Sequence, residues 1–239
     1  MKRYTAVISC EAEKAIDALR TKFDVITLLP DETIDVPVSC HADMILFSYG
    51  NKAVLPFSYA ERYPSIVEKF STLTGLELCF DSGIRKGQYP NDIGLNVLLC
   101  RNIAFSLTGH TSEIVKSILR ESGVRHVNVK QGYSACSALS FGNAVITADT
   151  GIEKAASLNG LDTLLISKGG IHLEGYSEGF IGGASGVCGK TVYFLGNIDS
   201  HPDAKNIRSF IKSRGYECVS LFDGVLLDFG GIRFFENKF

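Results

Sequence analysis

The sequence predicts an α/β fold in which about five ββαβ units close into a propeller-like ring around a pseudo-fivefold axis. Along the 239 residues, the order strand, tight turn, strand, helix, strand recurs. Each tight turn forces its two strands to pair antiparallel. A last strand at 232–235 has no later partner, and a strand and helix at 5–21 stand before the first complete unit. We therefore expect both termini to complete one unit together and residues 1–239 to form a single domain.

Apolar patterning sets the elements in order. The predicted strands are short runs rich in β-branched and aromatic residues, at 5–9, 23–29, 43–47, 53–55, 76–80, 96–100, 103–106, 124–129, 137–141, 144–148, 163–167, 216–221 and 232–235. The predicted helices carry apolar residues on one face, at 11–21, 64–73, 111–121, 152–158 and 202–214. Turn residues separate the paired strands, at 49–52, 101–102, 142–143 and 189–190. Gly123 and Gly215 are placed to end two of the helices.

The glycine-rich stretch 173–197 resembles two nucleotide-binding motifs without satisfying either. Residues 184–191 fit a relaxed P-loop string, and Gly175, Gly179 and Gly182 lie near a Rossmann fingerprint. Both motifs need a helix directly after the glycines, because its N-terminal N–H groups bind phosphate. Here a β-branched and aromatic run at 192–195 follows, which predicts a hairpin around Gly189 instead.

A doubly wound parallel sheet is the rival fold. Its strands would alternate one to one with helices. In this sequence, two strands joined by a tight turn stand between successive helices, and such a turn excludes parallel pairing of those two strands. The ring of ββαβ units is therefore favoured.

Composition excludes several classes of function. The net charge is −2 with no charged tail, which argues against a nucleic-acid partner or a membrane surface. No apolar run is long enough for a membrane span, and the start of the chain lacks the apolar core of a secretory signal. Seven dispersed cysteines without a CxxC pair favour reduced thiols in a cytoplasmic protein. Histidine and cysteine spacing indicates no metal site, and no cofactor is expected.

Four segments carry a resemblance to a known fold family. They are QGYSACS at 131–137, VITADTGI at 145–152, GYSEGFIGG at 175–183 and DFGG at 228–231. The chain resembles uncharacterised bacterial proteins with the pentein, or guanidino-modifying-enzyme, fold. Catalytic penteins include arginine deiminases, dimethylarginine hydrolases, agmatine deiminases and amidinotransferases. The resemblance implies a cysteine that attacks a guanidinium carbon, a histidine that moves protons and carboxylates that bind the cation.

Two local features bear on this resemblance in opposite directions. The string His41-Ala42-Asp43-Met44-Ile45 has the His-x-Asp-apolar-apolar form of the catalytic histidine in arginine deiminases. The usual nucleophile of that fold follows a Gly-Gly pair near the C-terminus. Here Gly230-Gly231 precedes Ile-Arg-Phe-Phe, so the usual cysteine is absent.

Candidate site residues lie in the crossings that lead into each hairpin, at 35–43, 81–96, 131–136, 169–186 and 223–231. Cys136, among small neighbours, is the candidate nucleophile; a small core cysteine is the alternative. His41 is the candidate acid/base with Asp43 as its orienter, against a structural histidine. The candidate substrate-binding residues are Glu178, Asp92, Asp149, Asp228, Gln131, Gly182 and Gly183.

Several of these candidates have an alternative structural role. Asp149 stands where it would cap a helix, and Asp92 and Asp228 suit turns. Gly182 and Gly183 permit close approach of backbone to either a ligand or a neighbouring unit. The glycines and turn residues therefore predict crowding at the axis as much as they predict a ligand.

Two hypotheses about function follow. The first is a cysteine-dependent hydrolase or transferase acting on a small molecule with a guanidine or amidine group, bound in an axial pocket. The second is a non-catalytic pentein that binds a small ligand or a protein partner, as a ribosome-associated initiation factor of this fold does. A homodimer is an option that the sequence leaves open.

Overall fold

The computed structural model describes residues 3–83 and 89–238. Its strands are β1 Tyr4–Ser9, β2 Asp24–Leu28, β3 Phe47–Tyr49, β4 Lys52–Pro56, β5 Glu77–Asp81, β6 Leu98–Cys100, β7 Ile103–Ser106, β8 Arg125–Asn128, β9 Ala138–Phe141, β10 Ala144–Thr147, β11 Asp162–Leu165, β12 Ile171–His172, β13 Ser185–Cys188, β14 Thr191–Phe194, β15 Glu217–Ser220, β16 Leu226–Leu227 and β17 Arg233–Glu236. Its α-helices are α1 Glu13–Arg20, α2 Ala42–Ile45, α3 Phe57–Arg62, α4 Pro64–Thr74, α5 Glu113–Glu121, α6 Ser134–Ser137, α7 Thr150–Leu158 and α8 Ala204–Ser213.

Five three-stranded sheets share one topology. Their strand orders are β17-β1-β2, β3-β4-β5, β6-β7-β8, β9-β10-β11 and β13-β14-β15. In each sheet the first strand pairs antiparallel with the second, and the second pairs parallel with the third. A helix connects the second strand to the third, as a parallel crossover requires. The predicted repetition of ββαβ units is confirmed.

The two ends of the chain meet in one sheet. Strand β1 pairs antiparallel with β17, with Tyr4 opposite Glu236 and Val7 opposite Arg233. The Thr5 hydroxyl also donates to the Asn237 side-chain oxygen at 2.8 Å. The predicted unit completed by both termini is therefore present.

The hairpins turn at the positions that the sequence indicates. Gly50, Arg101, Gly142 and Gly189 are the first residues of the four turns within the chain, and all have φ between 55° and 59°. Glycine adopts this left-handed region without a Cβ penalty, which explains why three of the four positions are glycine. The stretch around Gly189 is a hairpin without a following helix, so it lacks the geometry of a P-loop.

Short helical turns before two first strands differ from the prediction. Residues 43–45 were expected in a strand, but they belong to α2, and β3 begins only at Phe47. The His41 carbonyl accepts from the N–H groups of Met44 and Ile45, and the Asp43 N–H donates to the Gly230 carbonyl at 3.2 Å. Tertiary contact with a distant segment thus overrides the apolar strand pattern. Helix α6 holds Cys136 in the same position before β9, and it was also not predicted.

The first strands of all five sheets line one cavity of about 230 Å³, which we call the first-strand cavity. Strand β9 contacts both β6 and β13, and β13 contacts β17. The helices lie against the sheets through apolar faces; in α1 the buried residues are Ala15, Ile16 and Leu19, as predicted. Within the described residues, none of the helices has both the length and the apolar character of a membrane span.

Candidate functional site

The segments that lead into the five first strands converge on one buried location. They carry His41 and Asp43 before β3, Asn96 before β6, Cys136 before β9, Gly182 and Gly183 before β13, and Asp228 and Gly230 before β17. Residues 84–88 of the predicted crossing 81–96 lie outside the described residues. We call His41, Asp43, Cys136 and Asp228 the buried centre, because each is at most 3% exposed.

Cys136 and Asp43 are direct partners although 93 residues separate them in the chain. The Cys136 thiol donates to Asp43 Oδ2 at 2.7 Å. Asn96 Nδ2 donates to the same sulfur at 3.3 Å, and its Oδ1 accepts from the Ala135 N–H at 2.7 Å. The amide of Asn96 therefore fixes the helical turn of Cys136 and places a donor on its sulfur.

His41 lies beside this pair and beside Asp228. One ring nitrogen, one oxygen of Asp43 and the sulfur of Cys136 all lie within 4.8 Å of one another. His41 Nδ1 is 3.8 Å from Asp228 Oδ1, which is too long for a hydrogen bond. Among the described residues, neither ring nitrogen has a hydrogen-bond partner. Asp43 was expected to orient His41, but it accepts from Cys136 instead, and Asp228 is the carboxylate beside Nδ1.

Backbone N–H groups hold Asp228 in place. Oδ1 accepts from the Gly230 N–H at 3.0 Å, and Oδ2 accepts from the Phe180 N–H at 2.9 Å. A Cβ at Gly183 would overlap the Asp228 carboxylate, and a Cβ at Gly230 would overlap His41. The glycines let the segments of the centre approach one another, so close packing accounts for them.

Burial sets the protonation of the centre. Loss of solvation lowers the pKa of His41 to about 3 and raises the pKa of Cys136 well above its usual value. Loss of solvation also raises the pKa of Asp43 to about 6, against the opposing charge of Arg233 and the hydrogen bond from Cys136. For Asp228, burial and the negative charge of Asp43 raise the pKa to about 7. At neutral pH the free centre therefore has a neutral imidazole and a protonated thiol, and its two carboxyl groups titrate close to neutrality.

Three of the predicted substrate-binding residues lie apart from the centre. Gln131, Asp149 and Glu178 line a separate side cavity of about 60 Å³. Asp149 Oδ1 caps α7 through the Ile152 N–H at 2.8 Å, and its Oδ2 accepts from Gln131 at 3.2 Å. Glu178 accepts from the Gly169 N–H at 2.9 Å. These side chains are engaged in local structure, and the structure does not bring them to Cys136.

Asp92 is not part of the buried centre, but it contacts the segment that carries Cys136. It is fully buried, and its Oδ2 accepts from the Tyr133 hydroxyl at 3.0 Å. Tyr133 stands three residues before Cys136, and its ring lies 5.4 Å from that of Tyr89. Asp92 thus supports the segment that carries the cysteine.

A wide concavity, which we call the vestibule, shares the residue Asp228 with the buried centre. It has a volume of about 590 Å³ and is lined by Glu11, Val36, Pro37, Leu173, Glu174, Gly175, Asp228 and Phe229. Its ionisable lining side chains in the described residues are the carboxylates of Glu11, Glu174 and Asp228. Asp228 belongs to both the vestibule and the centre, so it connects the acidic surface with the sulfur.

Sequence reasoning missed two members of the site. Asn96 ends a predicted crossing, at the same place before its hairpin as Cys136, so its position was a usable signal. Arg233 lies on β17 and lines the first-strand cavity. No local pattern distinguishes an inward-facing arginine from a surface one, so Arg233 could not be found from the sequence.

Comparison with solved structures shows the pentein fold. A cysteine-to-serine mutant of dimethylarginine dimethylaminohydrolase from Pseudomonas aeruginosa, complexed with citrulline, superposes with a TM-score of 0.54 at 13% identity, covering 92% of this chain and 91% of that one. Agmatine deiminase from C. jejuni gives 0.55 at 11% identity, covering 92% and 87%. An amidinotransferase of the saxitoxin pathway from Microseira wollei gives 0.52 at 10% identity, covering 88% and 73%.

Among curated proteins, none matches this sequence. A match to a protein family covers residues 7–233, from within β1 to the first residue of β17. The chain belongs to DUF6873, a family of unknown function.

Proposed function

We propose that this protein is a cysteine-dependent hydrolase or transferase for a small cation with a guanidinium or amidinium group. The reaction takes place at the buried centre, near the pseudo-fivefold axis of a ring formed by the five units. The observation that carries the proposal is the convergence of Cys136, His41 and Asp43 from two different units, with all three donor atoms within 4.8 Å. A nucleophile needs its base at hydrogen-bond range, and Asp43 is at that range.

The charges around the centre favour a cation. Asp43 and Asp228 are buried without a cationic hydrogen-bond partner among the described residues, and burial raises the pKa of both. A guanidinium would donate bidentate hydrogen bonds to both carboxylates. Its positive charge would lower their pKa values toward the ordinary range. Glu11 and Glu174 in the vestibule extend the negative potential outward.

The first half of the reaction uses Cys136 and Asp43. Binding of the cation stabilises the thiolate, and the thiol proton passes to Asp43 along the existing hydrogen bond. The sulfur attacks the guanidinium carbon, so that a C–S bond forms and the π pair moves to nitrogen. Asp43 then returns the proton to the leaving nitrogen, the C–N bond breaks, and an amine departs from an S-linked amidinium intermediate.

The second half uses His41 and Asp228. Neutral His41 accepts a proton from water as the water oxygen bonds to the same carbon, and Asp228 stabilises the resulting imidazolium. The C–S bond then breaks as the imidazolium proton passes to the sulfur, and the hydroxyl proton of the intermediate leaves to solvent as the C=O bond forms. The product carries a ureido group where the guanidinium was. An amine in place of water gives transfer of the amidino group instead.

The alternative is a non-catalytic pentein that binds a small ligand. Two features favour it: the thiol of Cys136 is buried with a raised pKa, and no cysteine follows Gly231. A buried, protonated thiol is a poor nucleophile until a ligand changes its surroundings.

Turnover with simple guanidines separates the two functions. The protein, freed of bound metal ions with EDTA, would be incubated with arginine, agmatine and methylated arginines, and the ureido product and the released amine would be measured. We expect turnover in the wild type and in Cys218→Ala, which alters a half-buried cysteine on β15, and none in Cys136→Ala. Binding of a guanidine without turnover would support the alternative. Turnover that survives in Cys136→Ala would contradict the catalytic proposal.

A further inference from the structure

The buried centre contains polar atoms that lack partners. Both ring nitrogens of His41 and Oδ1 of Asp43 are buried without a hydrogen bond among the described residues. His41 and Asp43 are each 1% exposed, so bulk water does not compensate them. Leaving a buried polar atom unpaired costs about 1 to 3 kcal/mol, and such atoms are rare in native proteins. Several such atoms at one location form a place where a bound ion or water would find partners.

The unpaired atoms belong to a set of metal donors. A thiol, an imidazole and a carboxylate, from Cys136, His41 and Asp43, lie within 4.8 Å of one another. Around a tetrahedral zinc ion with bonds of roughly 2.0 to 2.3 Å, donor atoms are separated by roughly 3.3 to 3.8 Å. The sulfur and Asp43 Oδ2, now 2.7 Å apart, would separate by about 1 Å to admit an ion. The imidazole would need a movement of similar size.

We propose that the buried centre binds one divalent transition-metal ion, with Zn²⁺ as the best fit, through the Cys136 thiolate, the His41 imidazole and the Asp43 carboxylate. The donor set selects the ion, because thiolate and imidazole favour zinc over magnesium or calcium. Cys136 releases its thiol proton to solvent as the S–Zn bond forms. The fourth position is open to water or to an incoming ligand.

The neighbours of these donors suit a metal site. With His41 Nε2 on the metal, Nδ1–H points toward Asp228 Oδ1, which lies 3.8 Å away and approaches to hydrogen-bond range by a small shift. A carboxylate behind a ligating histidine is the usual outer partner in zinc sites. Asn96 Nδ2 already donates to the sulfur at 3.3 Å, which stabilises the thiolate form. The amide therefore already contacts the sulfur, and the carboxylate lies where a small shift would let it orient the imidazole.

Metal binding is independent of the proposed hydrolase. The sequence gives no spacing signal for it, because the donors come from crossings 93 residues apart. If the hydrolase proposal holds, the metal ion binds the Cys136 thiolate and suppresses turnover. Removal of the ion by a chelator then restores turnover. If that proposal fails, metal binding by the same three donors remains.

The test uses the full chain stripped of metal by EDTA and then dialysed against Zn²⁺ or Co²⁺. Elemental analysis after dialysis is expected to give one Zn²⁺ per chain. The Co²⁺ form is expected to show the near-ultraviolet charge-transfer band of a thiolate ligand. Cys136→Ser should lose this band, and His41→Gln should weaken binding by about 10- to 100-fold or more. Cys218→Ala is the matched control and should bind like the wild type.

Two further variants keep the test decisive. Asp228→Asn alters the outer partner and is expected to reduce Zn²⁺ affinity by about 10- to 100-fold while the cobalt thiolate band persists. If Cys136→Ser is unfolded by circular dichroism, His41→Gln and Asp43→Asn take its place. Background zinc in the wild type, or equal zinc in the wild type, Cys136→Ser and His41→Gln, would overturn the proposal. No result depends on turnover of a guanidine, so failure here is distinct from failure of the hydrolase.

Discussion

Two cavities of the molecule, the first-strand cavity and the vestibule, differ in charge. Among the described residues that line the first-strand cavity, Arg233 is the single ionisable one. The vestibule is lined by Glu11, Glu174 and Asp228, and it contains no basic side chain in the described residues. If the proposed function holds, a cationic substrate approaches from the vestibule, and substitutions in the two cavities have opposite effects on its binding.

Removal of the sulfur is expected to have the largest effect. Cys136→Ala should reduce turnover of a guanidine by about 10³-fold or more, because the covalent route is lost. Binding of the cation should persist, since the carboxylates of the vestibule and of Asp228 remain. Turnover and equilibrium binding are measured side by side, with Cys218→Ala as the control. Loss of binding together with turnover would contradict a cation site formed by these carboxylates, because the sulfur would then be required for binding.

Asp43→Asn is expected to change stability with pH in metal-free protein. Because the folded pKa of Asp43, about 6, exceeds that of an unfolded chain, the folded state holds its proton longer. The contribution of Asp43 to the free energy of unfolding of the wild type is therefore fully present below about pH 4. It is lost as the pH rises through 6. The neutral amide removes that loss, so the variant should gain about 3 kcal/mol relative to wild type at pH 8 and almost nothing at pH 4.

Denaturant unfolding at pH 4, 6 and 8 in the presence of EDTA measures this difference. His41 contributes with the opposite sign, since its folded pKa of about 3 is depressed and its stabilisation is lost as pH falls below about 6.5. That contribution is common to both proteins and cancels in the comparison. A difference between variant and wild type that does not depend on pH would contradict a buried, titrating Asp43.

Charge removal in the vestibule is expected to have a smaller effect. Glu174→Gln should raise KM for a cationic substrate by about two- to threefold, with less effect at high salt, because the carboxylate is exposed and screened. Glu113→Gln, on the exposed face of α5, is the control and should leave KM unchanged. Steady-state kinetics at two ionic strengths distinguishes steering by the vestibule from a general change in charge.

Arg233→Gln is expected to lower KM slightly, whereas Glu174→Gln is expected to raise it. The Arg233 charge helps to lower the pKa of Asp43, so its removal should shift the acidic limb of a pH–rate profile to higher pH. KM for a cation at pH 8 should fall by about twofold or less, since a repulsive charge is removed. An increase in KM would show that Arg233 contacts the substrate rather than repelling it.

Local signals explain which parts of this fold are predictable. The hairpins at Gly50, Gly142 and Gly189 follow from turn chemistry and apolar alternation, and the split unit follows from an unpartnered last strand. The helical turns around Asp43 and Cys136 are set by contacts with Gly230 and Asn96 from other units. The apolar run at 43–47 therefore indicated a strand, and the helical turn of Cys136 was not predicted.

The proximity of the crossings was predictable, whereas the contacts between their side chains were not. A histidine, an aspartate and a cysteine were predicted in crossings, and the structure brings their donor atoms within 4.8 Å of one another. Their partners depend on distances that the sequence does not contain, so Asp43 was assigned to His41 rather than to Cys136. Asp149 is a helix cap, a role that the sequence offered as an alternative.

Alkylation of Cys136 by matched reagents tests the central claim most directly. Chloroacetamidine is a cation and chloroacetamide is its neutral counterpart, and each forms a C–S bond as chloride leaves. Peptide mass spectrometry of metal-free protein gives the labelling rate at each cysteine. The account predicts that the cation labels Cys136 faster than Cys218, whereas the neutral reagent labels Cys218 faster because it is less buried. The same order of labelling with both reagents, or no labelling of Cys136 by the cation, would contradict it.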